Sequence, residues 1–499
     1  MRGAEFRSPS QFLVPGAWGF PKAIRKTAKK RGINRNLQAF GASEPASIIA
    51  RQYTSRPMRF RVLNQRCRRA LFLVPVLLCS FVHAQDKVAA GPVELGALTL
   101  AVAESWLANN NRDIAVARRA LEQSQADVLI AGQRPNPQLS LAVQNINPSR
   151  GIGAGNLRGK TVDSVVRVDQ LIERGDKAEL RVETARRFEA AAGQDIADVS
   201  RQQMLALRNA YFDLLAAQEK FASSVDAAQL FGRSVDAAQL RLKAGDLAAA
   251  DVARIRVDAL RAQNDARAAE GDMARARLVL AYLVGFESSA ATIKAVSPWP
   301  RPRAASAVLV TEEQIEQRAD VRAALARLDG ADKARALARA LRARDVSVGA
   351  QYEHWPNQAD ANNQGTGSSF GVALSVPLFL RHQYEGDIAR AQADWYAARD
   401  QLERTRAQAR AELAKAATDL AAARERLLRF DGELLPEALR AAAAAEFAFR
   451  NGAIGVMDLL DSRRVLKTIQ ADVSTARAEH AKALAAFDLG RGLLTREGE

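Results

Sequence analysis

Few side chains in this sequence could do metal or covalent chemistry, and their spacing suits neither. The 499 residues include four histidines and two cysteines. His83, Cys67 and Cys79 fall together in one short leader segment, which leaves His354, His382 and His480 scattered, with no second ligand at the spacing a zinc site requires. His480 sits in a helical stripe and reads as a packed or interhelical residue. No thiol and no histidine-paired nucleophile remain, so acid–base work would fall to carboxylates at helical spacing, which read as a solvated face. The sequence predicts no enzyme, no cofactor and no resident metal. Gly151, Gly153 and Gly155 resemble a phosphate loop only superficially, because no Lys-Ser/Thr in a strand–loop–helix setting follows. What remains is electrostatic. Asp458 and Asp461 lie in the run Met457-Asp458-Leu459-Leu460-Asp461, and Asp251 lies at a matching point earlier in the chain. These three positions suit acids that stabilise a helix N-terminus.

The elements that position these acids occur twice. Residues from about 95 to 290 align with residues from about 302 to 497 at a constant offset of 207. Asp113 then meets Asp320, Leu171 meets Leu378, Gly245 meets Gly452, Asp251 meets Asp458 and Gly285 meets Gly492. Each copy predicts a helix, two strands and two very long helices. The first helices run from about 99 to 132 and from 311 to 344, the latter opened by a Thr311–Gln314 capping box. The long helices are expected at about 176–232 and 240–285, and at 384–449 and 455–492. Val252, Ile255, Ala259, Ala262, Ala266, Ala269, Met273, Ala276 and Leu280 step by three and four, as do Leu459 to Phe487 in the second copy. That rhythm is a coiled-coil seam, and its alanines let helices approach closely. Helices of this length would reach roughly 70 to 95 Å at 1.5 Å per residue, which suits struts or tunnel walls. The chain reverses near Gly245 and Gly452, so the acids stand at the helix tips.

Strands are expected at about 138–145, 161–170, 345–353 and 368–377, each with period-two alternation. Such strands fit a barrel with lipid outside and water inside, and equally a half-buried soluble hairpin. The connecting loops at 147–155 and 356–367 are rich in Gly, Asn and Pro. Four strands in lipid would leave two edges of unpaired backbone groups, each costing several kcal/mol, so closure must come from other chains. Two chains give eight strands and a filled interior; three give twelve and the smallest aqueous bore.

Charge is confined to one end. Residues 1–70 carry 16 Lys/Arg against Glu5 and Glu44, and the remainder is nearly neutral, which removes the argument for a nucleic-acid partner. Met58 opens a secretory leader: a basic segment through Arg69, a 13-residue apolar run from Ala70 to Val82, then Val82-His83-Ala84. Cleavage is expected after Ala84, with residues 1–57 a disordered upstream extension and Met58 the true start. Cys79 is a poor lipidation site because bulky Leu78 precedes it. The exported chain then has no cysteine, and no run reaches the roughly 18 apolar residues of a spanning helix.

The stretch Ala131-Gly132-Gln133-Arg134-Pro135-Asn136-Pro137-Gln138-Leu139-Ser140, with Glu173-Arg174-Gly175-Asp176-Lys177 after the second strand, is similar to the heavy-metal efflux branch of the TolC-type outer-membrane efflux factor family. The resemblance covers residues from about 95 to 495. It implies a mainly α fold with a membrane β-barrel: a homotrimeric 12-stranded barrel in outer-membrane lipid, continued by a periplasmic α-helical tunnel. It further implies a periplasmic membrane-fusion adaptor and an inner-membrane RND-type pump as partners, with passive conduction of heavy-metal cations. By the same resemblance Asp458 and Asp461 ring the periplasmic constriction, and Gly245, Asp251 and Gly452 form tips that meet the adaptor. The family's latch uses a Tyr and an Arg where this chain has Phe449 and Ile454, so a hydrophobic constriction at Phe449 is expected instead. A type I secretion or drug-efflux outlet would share the architecture. A secreted coiled-coil scaffold or adhesin would explain the seams but not the duplicated hairpins.

Overall fold

The computed structural model describes residues 95–146, 149, 162–302, 311–355 and 367–492. The expected leader, the upstream extension and most of the two glycine-rich loops lie outside these. In the first copy the order is α1 (Leu100–Asn110), α2 (Arg112–Gly132), β1 (Gln138–Gln144), β2 (Asp163–Ile172), α3 (Lys177–Ala244) and α4 (Ala249–Val284). The second copy gives α5 (Glu312–Glu316), α6 (Ala319–Ala340), β3 (Val346–Trp355), β4 (Gly367–Ser375), α7 (Glu385–Arg429), a π turn (Phe430–Leu434), α8 (Leu435–Arg450) and α9 (Val456–Gly490).

Three expectations about the helices are corrected. The first helix of each copy is broken, and at equivalent positions, Asn111 and Arg318. Asn111 takes an extended backbone and its Oδ1 accepts from the N–H groups of Asp113 and Ile114, so it ends α1 and caps α2. The expected pause between 232 and 240 is absent, because α3 runs unbroken through Gly232 for 68 residues, roughly 100 Å. A glycine in a helix interior costs only about 1 kcal/mol, which packing against neighbouring helices outweighs. The second long helix, by contrast, is interrupted. Pro436 has no N–H for the Gly432 carbonyl, and the chain widens into a π turn in which the Leu435 N–H reaches the Phe430 carbonyl.

The seam is present. Val252, Ile255, Ala259, Ala262, Ala269, Met273 and Leu280 are buried on α4, and Leu459, Val473, Ala476, His480 and Phe487 on α9. Helix α3 packs against α2, α4, α6 and α9, and α7 against α6 and α9. The largest core cluster joins α1, α3 and α4 around Tyr211, Phe212, Leu107 and Leu280. The Tyr211 hydroxyl donates to the Leu98 carbonyl at 2.9 Å and accepts from the Ser297 N–H at 3.0 Å, which ties down the segment that joins the copies.

The four strands form one antiparallel sheet in the order β1-β2-β3-β4, so β2 and β3 join the two copies. The register puts Leu139, Val168, Ala350 and Val372 in one cross-strand row and Leu141, Val166, Tyr352 and Phe370 in another, all on one face. Leu141, Phe370, Val372 and Leu374 on that face are 70–85% exposed. The opposite face carries Asp163, Arg167, Asp169, Gln351 and Glu353. Arg167 and Asp169 form an ion pair at 2.7 Å, and Gly349 stands directly across from Asp169. A Cβ at Gly349 would collide with the Asp169 carboxylate and crowd the Arg167 guanidinium. Gly349→Val should therefore cost about 1–3 kcal/mol per chain through overpacking. Gel analysis of unheated outer membranes should show the trimer band reduced, and an unchanged band would refute the crowding.

The sheet-to-helix junction is fixed by a buried lysine. The Lys177 Nζ donates to Asp345 Oδ1 at 2.8 Å and to the Ala343 carbonyl at 2.7 Å, linking the start of α3 to the entry of β3. Arg181 closes the same junction onto Glu173 at 2.8 Å and onto the Ala131 carbonyl at 3.0 Å.

Candidate functional site

The two helix reversals are built alike. Gly245 and Gly452 both take left-handed φ, 86° and 71°. After Gly245, the Asp246 N–H returns to the Arg241 carbonyl; after Gly452, the Ala453 N–H returns to the Ala448 carbonyl. These are Schellman-type ends, which glycine makes without steric penalty. The paired tips share a small core, with Leu460 fully buried among Phe231, Val252, Ile255 and Ala259. Helices α4 and α9 start within a few residues of these turns and bring their first-turn acids to the tip.

Asp251 is half-buried in the first turn of α4. Asp458 is exposed in the first turn of α9, and its Oδ2 accepts from the Gly455 N–H at 3.2 Å. Capping the helix and facing solvent are thus combined in one carboxylate. Asp461 is exposed one turn on and accepts from Arg464 at 2.9 Å. Arg464 also reaches Asp258 of α4 at 3.0 Å, so a three-membered ion network clamps α9 to α4. A second clamp lies one helical turn further, where Lys467 meets Asp265 at 2.9 Å. Phe449 is half-buried near the end of α8, with the Arg241 guanidinium 5.5 Å from its ring centroid, a cation–π contact between the two hairpins.

The structure therefore brings Asp458, Asp461 and Gly452 together on one hairpin tip, with Phe449 just before the turn and Gly245 and Asp251 on the companion tip. Sequence reasoning missed Arg241, Asp258 and Arg464. Their signal lies in pairing between distant helices, which periodicity along one helix does not carry. Among the described residues no group of three His, Cys, Asp or Glu is placed to hold a metal ion. His480 is almost fully buried in α9, and burial, with the charge of Arg424 added, pushes its imidazole below the ordinary range. No nucleophile–base geometry occurs at the tips.

A sheet that is apolar outside and polar inside, open at both edges and continued by coiled-coil hairpins, defines one protomer of an outer-membrane barrel with a periplasmic tunnel. The sequence profile described as Outer membrane efflux protein matches residues 105–286 and 310–489, one match per copy, and the chain belongs to that family. It is a passive outer-membrane efflux channel and not an enzyme. Among curated proteins it is 27% identical over 397 residues to the cobalt-zinc-cadmium resistance protein CzcC of Cupriavidus metallidurans, covering 78% of this chain and 87% of that one. Among solved structures it is similar to the outer membrane protein VceC of Vibrio cholerae, with TM-score 0.63, 20% identity, and coverage of 79% and 96% of the two chains. It is also similar to the CmeC outer membrane channel of Campylobacter jejuni, with TM-score 0.65, 15% identity, and coverage of 80% and 87%.

Proposed function

We propose that this channel is the outlet of a heavy-metal cation efflux system, and that Asp458 and Asp461 ring its periplasmic constriction with Phe449 as the apolar narrowing. Gly245, Asp251 and Gly452 then belong to the tips that meet the adaptor. The cargo reading is supported by the relationship to a cobalt-zinc-cadmium resistance protein across most of both chains. The gate reading is carried by one observation: the α9 tip presents two exposed carboxylates one turn apart beside the reversal at Gly452. Repeated by threefold symmetry, six carboxylates would favour cations in a narrow pore. Arg464 opposes that field from one side of Asp461.

Single-channel recording in planar bilayers tests the gate. The native channel should prefer potassium to chloride, Asp458→Asn with Asp461→Asn should reduce that preference roughly twofold or more, and Arg464→Gln should increase it. Unchanged selectivity in both variants would refute the assignment. For the cargo, restoring the gene to a deletion strain should restore tolerance to zinc, cobalt and cadmium. Restored tolerance to dyes or antibiotics without metals would overturn it in favour of a drug-efflux outlet.

A further inference from the structure

The apolar stripe on β4 does not stop where the sheet stops. Phe370, Val372 and Leu374 lie within the strand, and Val376 and Leu378 continue the same alternation past Ser375 to a tight turn in which the Leu380 N–H reaches the Leu378 carbonyl; Leu378 and Leu380 are 67% and 85% exposed. The eight residue steps from Phe370 to Leu378, at about 3.3 Å each and tilted by about 40°, span roughly 20 Å, most of the roughly 25 Å lipid-facing band of an outer-membrane barrel. The hydrocarbon boundary on the periplasmic side therefore falls near Leu380. The residues next to that boundary are basic and aromatic. Arg381 and His382 follow directly, and Arg342 and Arg344 arrive from the turn between α6 and β3. Arg344 precedes Val346 by two residues, in phase with the apolar face of β3. Its guanidinium lies 5.7 Å from the Phe379 ring centroid. Phe379 and Tyr384 meet edge to face at 5.3 Å, and the Arg342 Nε donates to the Gln383 carbonyl at 3.3 Å.

Among the described residues no carboxylate is in ion-pair range of Arg342, Arg344 or Arg381. The acid of the turn, Glu385, accepts from the Gln383 N–H at 2.9 Å. The duplication supplies an internal comparison. At the offset of 207, Arg342 and Arg344 replace Pro135 and Pro137 of the first copy, and Leu380 replaces Glu173, which is bound to Arg181. The first copy pairs Lys177 with Asp345 and Arg181 with Glu173 at its boundary and leaves Arg134 and Arg174 exposed, Arg174 being the equivalent of Arg381. The second leaves three exposed guanidiniums beside an aromatic pair and an exposed apolar stripe.

We propose that Arg342, Arg344 and Arg381 form a binding site, one per protomer, for the phosphate headgroup of an anionic glycerophospholipid in the periplasmic leaflet of the outer membrane. Clustered basic residues at a membrane boundary recognise such headgroups, guanidinium forks match phosphate geometry, and aromatic rings settle at headgroup depth. The acyl chains lie along Leu378 and Leu380, which is why the site takes a lipid rather than a soluble anion.

The purified full-length trimer in neutral detergent tests this by thermal melting and by native mass spectrometry, with phosphatidylglycerol, phosphatidylcholine or inorganic phosphate added. Phosphatidylglycerol should raise the melting temperature and remain bound at up to one molecule per protomer. Phosphatidylcholine and inorganic phosphate should do neither, and 0.5 M salt should weaken the effect. With about fivefold in affinity per basic residue at an anionic surface, Arg342→Gln, Arg344→Gln and Arg381→Gln together should weaken retention roughly a hundredfold. Arg134→Gln, at the first-copy boundary, should change nothing. Equal effects of the two lipids, an equal shift with inorganic phosphate, or full retention by the triple variant would overturn the proposal. If the triple variant fails to assemble, the comparison of lipids on the native trimer still decides it.

Discussion

Arginine in place of Leu374 is expected to prevent this chain from reaching the outer membrane as a trimer. Leu374 is 70% exposed near the middle of the apolar stripe and pairs across the sheet with Val348. A charged side chain at the bilayer midplane of a barrel costs about 2–4 kcal/mol, and the substitution recurs in each protomer, for roughly 6–12 kcal/mol per trimer. That is comparable to the whole stability of a typical domain. The adjacent residue provides the control. Ser375 lies at the same depth on the opposite, polar face and pairs with Ser347. Ser375→Arg should leave assembly intact, because a lumen-facing side chain stays in water. Membrane fractionation followed by gel analysis of unheated samples measures both. If Leu374→Arg inserts as well as Ser375→Arg does, then that face does not meet lipid and the single-pore assembly fails with it.

How much of this could be read in the sequence varied with the range of the signal. Period-two alternation located all four strands to within two or three residues, and the register then put Leu139, Leu141, Phe370 and Val372 on one face without further assumption. The three-four rhythm of Val252 to Leu280 became a buried seam, because a helix face is determined by residues a turn apart. The offset of 207 marked Gly245 and Gly452 as equivalent, and both are reversals with positive φ. Breaks were harder. The triplet Asn109-Asn110-Asn111 before Asp113 is a helix start, but the apolar rhythm runs through it, and its second-copy equivalent, Arg318, carries no capping signature at all. Pro436 was a readable interruption that the long periodic run obscured. Gly232 was the reverse, a breaker overruled by packing. At the tips the acids were visible and their partners were not. The link from Arg464 to Asp258 joins residues 206 apart, and only the folded hairpins bring them together.

The same blindness to long-range pairing hid Arg318, and its replacement by alanine is the second large effect expected. The Arg318 side chain is 1% exposed. Its Nη2 donates to Asp320 at 2.7 Å and to Glu412 of α7 at 2.9 Å, so it joins the start of α6 to the neighbouring helix. Removing one partner of a buried pair leaves the other charge poorly compensated, at about 3 kcal/mol or more. Arg410→Ala, which breaks an exposed pair with Glu312, should cost less than about 1 kcal/mol. The pH dependence separates pairing from lost packing. Burial alone would push the Asp320 carboxyl up, but the Arg318 hydrogen bond and charge, with Arg201 and the Val321 N–H, outweigh it and hold the carboxyl below the ordinary range. A depressed carboxylate stabilises the fold fully above its unfolded value, about 3.9, and that contribution is lost as pH falls through the folded value. The gap in unfolding rate between native channel and Arg318→Ala should therefore be widest near neutral pH and close below about pH 4. A gap independent of pH would assign the loss to packing. Arg318→Asn installs the residue that the first copy uses at this position, where Asn111 caps α2. It should recover the roughly 1 kcal/mol of a helix cap but not the ion pair, so its stability should fall between native and alanine with the alanine variant's pH profile. In the first copy Asn111 combines the cap with an amide hydrogen bond to the Leu283 carbonyl of α4 at 3.2 Å; in the second copy the residue at this position is a charge that holds α7.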